Sequence, residues 1–181
     1  FHNHAVSYLI VDLFKLHNKS KFELFGFSFG PNKKDEMRKK ISSKFDHFFD
    51  MRLSTDKEIV KLSRKLNIDI AIDLSCFTLN NKFGVFVERC APIQVNYLGY
   101  PGTSGTDCID YIIADKTVIP KESQKNYSEK IIFLPNTYQC NDSNKKISDK
   151  TFIREEFHLP NKSFVFCCFN QSYKITPNVF D

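Results

Sequence analysis

Apolar residues recur along this chain in two rhythms, three-to-four and near-continuous, and the two alternate. From His4 to Leu16 the apolar positions Ala5, Tyr8, Leu9, Leu13 and Leu16 follow helical spacing, with Asn3 placed to cap the helix and His4 in its first turn. Phe22–Phe29 is too short and too aromatic for a helix and is bounded by Lys21 and Gly30-Pro31, so a buried strand is predicted. A polar helix over 35–44 and a short strand over 45–49 follow. Thr55 with Glu58 three residues on is a capping box for a helix whose apolar face is Ile59, Leu62 and Leu66. Asn67 closes that helix and Ile68–Leu74 is the clearest strand of the chain. Helix is predicted over 80–89, and strands over 93–98, 110–115, 130–134 and 164–169. Strands separated by helices of about ten residues make right-handed βαβ units, so the fold class is α/β with a Rossmann-like parallel sheet and flanking helices.

Between Asn136 and Lys150 polar residues dominate, and Asn141 to Asn144 mark turns. A boundary placed there gives a first domain over 1–145 and, over 146–181, a linker and the start of a second. Phe164–Phe169 reads as that domain's first strand, on which Cys167 and Cys168 would face opposite ways. The closing residues read as a helix starting after Pro177 and cut short, so the chain is expected to be a fragment.

The 181 residues carry a formal net charge of +5. The densest basic run (Lys33, Lys34, Arg38, Lys39, Lys40, Lys44) is interrupted by Asp35 and Glu36 at helical spacing, which marks a solvated helix face rather than a nucleic-acid patch. No apolar run reaches membrane length and no membrane partner is expected; no n-region, h-region and cleavage site stand at the front, which in a fragment says little of targeting. The six cysteines include no CxxC and no metal-ligand pairing with the histidines; several lie in apolar runs, as reduced structural thiols in a cytoplasmic protein do.

The stretch with most chemical content is Ala91–Thr106, where a strand runs into a loop holding Gly99, Pro101, Gly102 and Gly105. On composition it reads equally as a surface turn or as a place where backbone approaches a ligand at a strand's carboxyl end. Alone, His2, His4 and His17 read as surface histidines, and Asn170-Gln171-x-Tyr173-Lys174 as an ordinary loop.

Four ordered segments change that. Ala91-Pro92-Ile93-Gln94 with Leu98-Gly99-Tyr100-Pro101-Gly102-Thr103-Ser104-Gly105 resembles the signature of the catalytic region of protein O-GlcNAc transferases and their SPINDLY-like relatives. Phe1-x-Asn3-His4 resembles the opening motif of that region. Asp110–Asp115 with Tyr127-Ser128-Glu129-Lys130 resembles its middle, and Phe169-Asn170-Gln171-x-Tyr173-Lys174 its nucleotide-binding segment.

The resemblance implies the N-terminal half of a GT-B glycosyltransferase, in which two Rossmann-like domains face across a cleft. It implies inverting transfer of N-acetylglucosamine from UDP-GlcNAc to Ser or Thr hydroxyls of proteins, with no metal or other cofactor, and with TPR repeats upstream. His4 is then the candidate to accept or relay the proton. Leu98, Gly99, Tyr100 and Pro101 form the sugar and acceptor pocket, and Gln171 and Lys174 bind the nucleotide-sugar. A fragment lacking most of the second domain is expected to be inactive alone. GDP-fucose as donor, and a non-catalytic Rossmann-type binding module, stay open as alternatives. Cys76 stands where the family usually has glycine, ahead of Phe77 and Thr78, which puts the geometry of that turn in doubt. Asp69 stands where some members carry a histidine, and a buried strand aspartate there is equally structural.

Overall fold

The computed structural model describes residues 1–31, 33–169 and 171–180, and divides the chain into two compact units, Phe1–Asn144 and Lys145–Asp181. In the first unit α1 (Ala5–Leu16) leads to β1 (Phe25–Ser28), α2 (Glu36–Ser42), β2 (His47–Asp50), α3 (Asp56–Lys65), β3 (Ile70–Asp73), α4 (Gly84–Val87), β4 (Ile93–Tyr97), β5 (Tyr111–Ala114) and β6 (Lys130–Phe133). Every strand pairing is parallel, as α/β crossovers dictate, but the strands form two sheets: β1-β2, and β3-β4-β5-β6.

The capping box at Thr55 is formed, with the Glu58 carboxylate accepting from the Thr55 N–H and hydroxyl. Asn67 ends α3 with φ at +52°. Other elements depart from expectation for local reasons. α1 buries Ser7, Ile10, Val11, Asp12 and Phe14, while Tyr8 and Leu16 are exposed. The helix is apolar nearly all round, so its periodicity offers two stripes, and the sheet takes the one spaced 7, 10, 11, 14. Its cap is His4 rather than Asn3, whose N–H donates to Asp35 Oδ2 and whose Oδ1 accepts from the Tyr8 hydroxyl. β1 is shorter than the aromatic run, because Phe22 belongs to a turn closed on the Asn18 carbonyl and is exposed. α4 occupies only the middle of 80–89. Asn80 and Arg89 hold φ at +61° and +57°, and the Asn81 side chain caps the Phe83 N–H, so helix cannot extend either way.

Two helical layers enclose the sheets. On one side α1 and α2 (Ile10, Val11, Phe14, Met37, Ile41) pack on Tyr97 and Leu98 together with Leu24, Phe45 and Leu74. On the other, Ile59 and Val60 of α3 and Val85 and Phe86 of α4 pack on Phe27, Phe49 and Ala71. Each layer thus touches both sheets. The basic run of α2 is tied to the fold: Arg38 donates to Ser28 Oγ and the Phe1 carbonyl and pairs with Asp50, and Lys40 pairs with Asp142.

In the second unit 3₁₀ turns at Arg154–Phe157 and Ser172–Lys174 precede α5 (Pro177–Phe180), which starts on its proline, one position before the expected start. Residues 164–169 form no strand. A strand exists by pairing, and the described residues of this unit supply no second one; Phe164, Phe166 and Phe169 are exposed.

Candidate functional site

β4 carries the loop of interest, and its residues show why the sequence reads as it does. Gln94, fully buried, donates from Nε2 to the carbonyls of Phe86 and Cys108 and accepts at Oε1 from the Cys90 N–H, joining α4, β4 and the approach to β5. Asp110 accepts the Gln94 N–H and is clamped by both carboxylate oxygens to Arg89 Nη2 at 2.8 Å. Burial opposes its ionisation, but the Arg89 bonds and the Gln94 N–H outweigh that and hold the carboxyl below its usual range. The Ala-Pro-Ile-Gln segment is therefore a structural joint.

Beyond Tyr97 the chain turns sharply. Leu98 has φ at +70°, and the Gly99 N–H donates to the Tyr97 carbonyl at 2.8 Å, a γ-turn of the rarer, strained hand. Leu98 is buried against Ile10, Val11 and Phe14 of α1, which holds it there. A Cβ on Gly99 would lie 2.0 Å from the Leu74 carbonyl oxygen, so no side chain fits. Tyr100 and Pro101 are exposed, with the Tyr100 ring edge-on to Phe77 at 6.1 Å.

Three braces fix the loop. Asn96 Nδ2 donates to the carbonyls of Tyr100 and Gly102, and the Tyr127 hydroxyl donates to the Pro101 carbonyl. Glu129, 5% exposed, accepts from the Ser104 N–H at 2.6 Å, the Ser104 hydroxyl, and the Thr103 hydroxyl at 2.7 Å. Burial favours its neutral form, yet these donors outweigh it and keep the carboxyl below the usual glutamate range. Asn96 Oδ1 is buried without a partner, the one such side-chain atom among the described residues. Beside it in strand register is Asp73, whose carboxyl is pushed up by burial against the opposing pull of the Cys76 and Ser75 N–H groups.

Cys76 is fully buried with φ at +45°, in the left-handed region that glycine adopts most readily. Burial pushes its thiol up to about 11, as for an inert buried cysteine. Asp69 is exposed and lies just before β3, at the sheet's amino end and away from the loop, which corrects the expectation of a buried strand aspartate.

His4 stands at the N-terminus of α1, exposed, with Nδ1 accepting from the Val6 N–H at 3.3 Å. In that arrangement the neutral ring carries its proton on Nε2, and His2 packs beside it at 5.6 Å. His4 and the loop are joined through α1, whose buried face meets Leu98. Gln171 and Lys174 belong to the second unit, where Gln171 precedes the 3₁₀ turn and its carbonyl accepts the Lys174 N–H; both are exposed, and Asn170 lies outside the described residues. Among the described residues no trio of His, Cys, Asp or Glu stands where a metal could be held, and no helix is long and apolar enough to cross a membrane. The brace from Thr103, Ser104, Tyr127 and Glu129 was not singled out by sequence reasoning as a unit. Its one signal was that Tyr127–Lys130 shares the same resemblance as the loop.

The family model of Glycosyl transferase family 41 matches residues 1–152. A probable UDP-N-acetylglucosamine–peptide N-acetylglucosaminyltransferase of Arabidopsis thaliana, SEC, is 36% identical over 184 residues, covering 99% of this chain and 19% of that protein. The UDP-N-acetylglucosamine–peptide N-acetylglucosaminyltransferase of Caenorhabditis elegans is 29% identical over 160 residues, 86% of this chain and 14% of its own length. A mutant O-GlcNAc transferase of Thermobaculum terrenum shares the fold at a TM-score of 0.73 and 28% identity, over 76% of this chain and 26% of that one. The chain spans about a fifth or less of the length of these curated relatives.

Proposed function

The chain belongs to glycosyl transferase family 41, and on that premise we propose that its parent protein transfers N-acetylglucosamine from UDP-GlcNAc to Ser or Thr hydroxyls of proteins, with residues 1–144 supplying the acceptor side. The observation that carries this reading is the braced 98–106 loop at the carboxyl end of β4, where open α/β sheets receive ligands. Leu98, Gly99, Tyr100 and Pro101 are the sugar and acceptor pocket of the proposal. Gly99 has no room for a side chain and Tyr100 offers an exposed ring, as a preformed surface for a sugar requires.

In the proposed reaction the acceptor oxygen attacks C1 of the sugar from the face opposite the diphosphate. The C1–phosphate oxygen bond breaks, UDP leaves with the bonding electrons, and the hydroxyl proton passes to a protein group. Lys174 supplies positive charge for the departing diphosphate and Gln171 amide hydrogen bonds to the nucleotide, so no metal is needed. His4 is the proton acceptor or relay. Its cap bond leaves the Nε2 proton outward, so taking a proton at Nε2 requires the ring to give up the Val6 N–H and change tautomer.

The test is transfer by the full-length parent with UDP-GlcNAc or GDP-fucose, in the presence of EDTA, for wild type beside His4→Ala and Lys174→Ala. UDP-GlcNAc should be used, EDTA should leave the rate unchanged, and Lys174→Ala should lower kcat/KM about a hundredfold, roughly 3 kcal/mol of transition-state stabilisation. Turnover with GDP-fucose alone would move the protein to the O-fucosyltransferase reading. Silence with both donors, with partner binding intact, would leave a binding module. No turnover is expected of the 181-residue chain alone.

A further inference from the structure

The side chain of Asn96 is only half satisfied. Its Nδ2 donates to the carbonyls of Tyr100 at 2.9 Å and Gly102 at 3.3 Å, and because both are acceptors the amide has one orientation. Oδ1 therefore faces away from the loop, in a residue with no exposed surface, where an acceptor without a donor is destabilising. The strands on either side supply the neighbours. On one side the register partner is Ile112, apolar and 1% exposed. On the other it is Asp73, 7% exposed, on the same face of the sheet at the strand spacing of about 4.8 Å.

Asp73 has the complementary problem. Its Oδ1 accepts the Ser75 N–H at 2.8 Å and the carboxyl also takes the Cys76 N–H, yet among the described residues no lysine, arginine or histidine pairs with it. The helices packed on this face turn Ile59, Val60 and Ser63 of α3 and Val85 and Phe86 of α4 towards it, and the Ser63 hydroxyl is engaged by the Cys90 carbonyl. The titratable groups around the turn are Cys76, Cys90, Cys108 and Glu129, all of them acids. A buried carboxyl without a cation is more stable neutral, and burial does push this one up. A neutral carboxyl has one O–H to place.

We infer that Asp73 is the missing donor: its carboxyl keeps its proton on folding and gives it to Asn96 Oδ1, so that one proton shared between the ends of β3 and β4 fixes the amide that holds the 100–102 loop. Ionised, Asp73 would set two acceptors against each other, and the amide would meet the loop carbonyls only against that repulsion. Asp73 is thus a positioning residue that acts on the loop through Asn96. The inference stands on the packing of β3 and β4 and does not rest on the proposed reaction.

Nuclear magnetic resonance of the 181-residue chain tests it, with carboxyl-labelled aspartate and Asp73 assigned by its absence in Asp73→Asn. The Asp73 carboxyl should titrate above the ordinary 3.8, and the amide signals of residues 102–104 should show a step at the same midpoint that Asp73→Asn abolishes. In Asn96→Leu, which keeps the site apolar but removes the acceptor, the Asp73 midpoint should fall. Because folding raises the value, the stability this proton adds is whole below the unfolded value and is lost as pH rises through the folded one. Asp73→Asn offers Asn96 an N–H at every pH, so wild type should lose denaturation midpoint relative to it as pH rises. Titration of Asp73 at or below 3.8 would overturn the inference. So would loop amides that ignore the Asp73 step, or an Asp73 midpoint unmoved by Asn96→Leu.

Discussion

Leu98 holds a backbone angle that a branched side chain resists, and it does so at the entrance to the candidate pocket. Its side chain lies in the α1 core, so the angle is imposed by packing. Gly99 completes the turn against the Leu74 carbonyl. Gly99→Ala should force the ends of β3 and β4 apart and cost about 3 kcal/mol or more, seen as a lowered denaturation midpoint at unchanged m-value. A midpoint within experimental error of wild type would show that the close approach is not required. Cys76 is the complementary case, in which a residue other than glycine holds a left-handed angle in a fully buried turn.

At the scale of elements, the segment 127–129 exists to hold the loop 101–104. The Glu129 carboxylate takes three donors from Thr103 and Ser104, and its pKa lies below the ordinary value of 4.5. A carboxyl depressed on folding adds stability that is fully present above its unfolded pKa and is lost as pH falls through the folded one. Glu129→Gln should therefore destabilise by about 1–3 kcal/mol near neutral pH, and the gap from wild type should close as pH falls below about 4.5. A pH-independent gap would mean that the side chain acts by shape alone. Helix signals local to a few residues, such as the box at Thr55 and the proline opening α5, were legible in the sequence. So was the parallel arrangement. What was not legible depended on partners distant in sequence: which stripe of α1 is buried, how much of Phe22–Phe29 finds a partner in β2, and whether 164–169 finds one at all. The loop was marked by its glycines, but its brace joins residues some 25 positions apart, and no local pattern shows that.

Across the whole molecule the core lies in one unit. Between residues 145 and 180 no described residue is buried, although Phe152, Phe157, Phe164, Phe166 and Phe169 are there. Brief trypsin digestion should cut first at Lys145, Lys146 or Lys150 and leave a resistant product ending near residue 144, read by intact mass; early cuts within α3 or β4 would contradict this division.

The last residues of the first unit are fastened with unusual care. The Tyr97 hydroxyl donates to the Tyr138 carbonyl, Lys40 pairs with Asp142, and Asp12 accepts from the Ser143 hydroxyl and from Asn144 Nδ2. All these anchors but the tyrosine sit on α1 and α2. Mechanically, the polypeptide leaving at residue 145 is moored to the same helix that carries His4 at its other end.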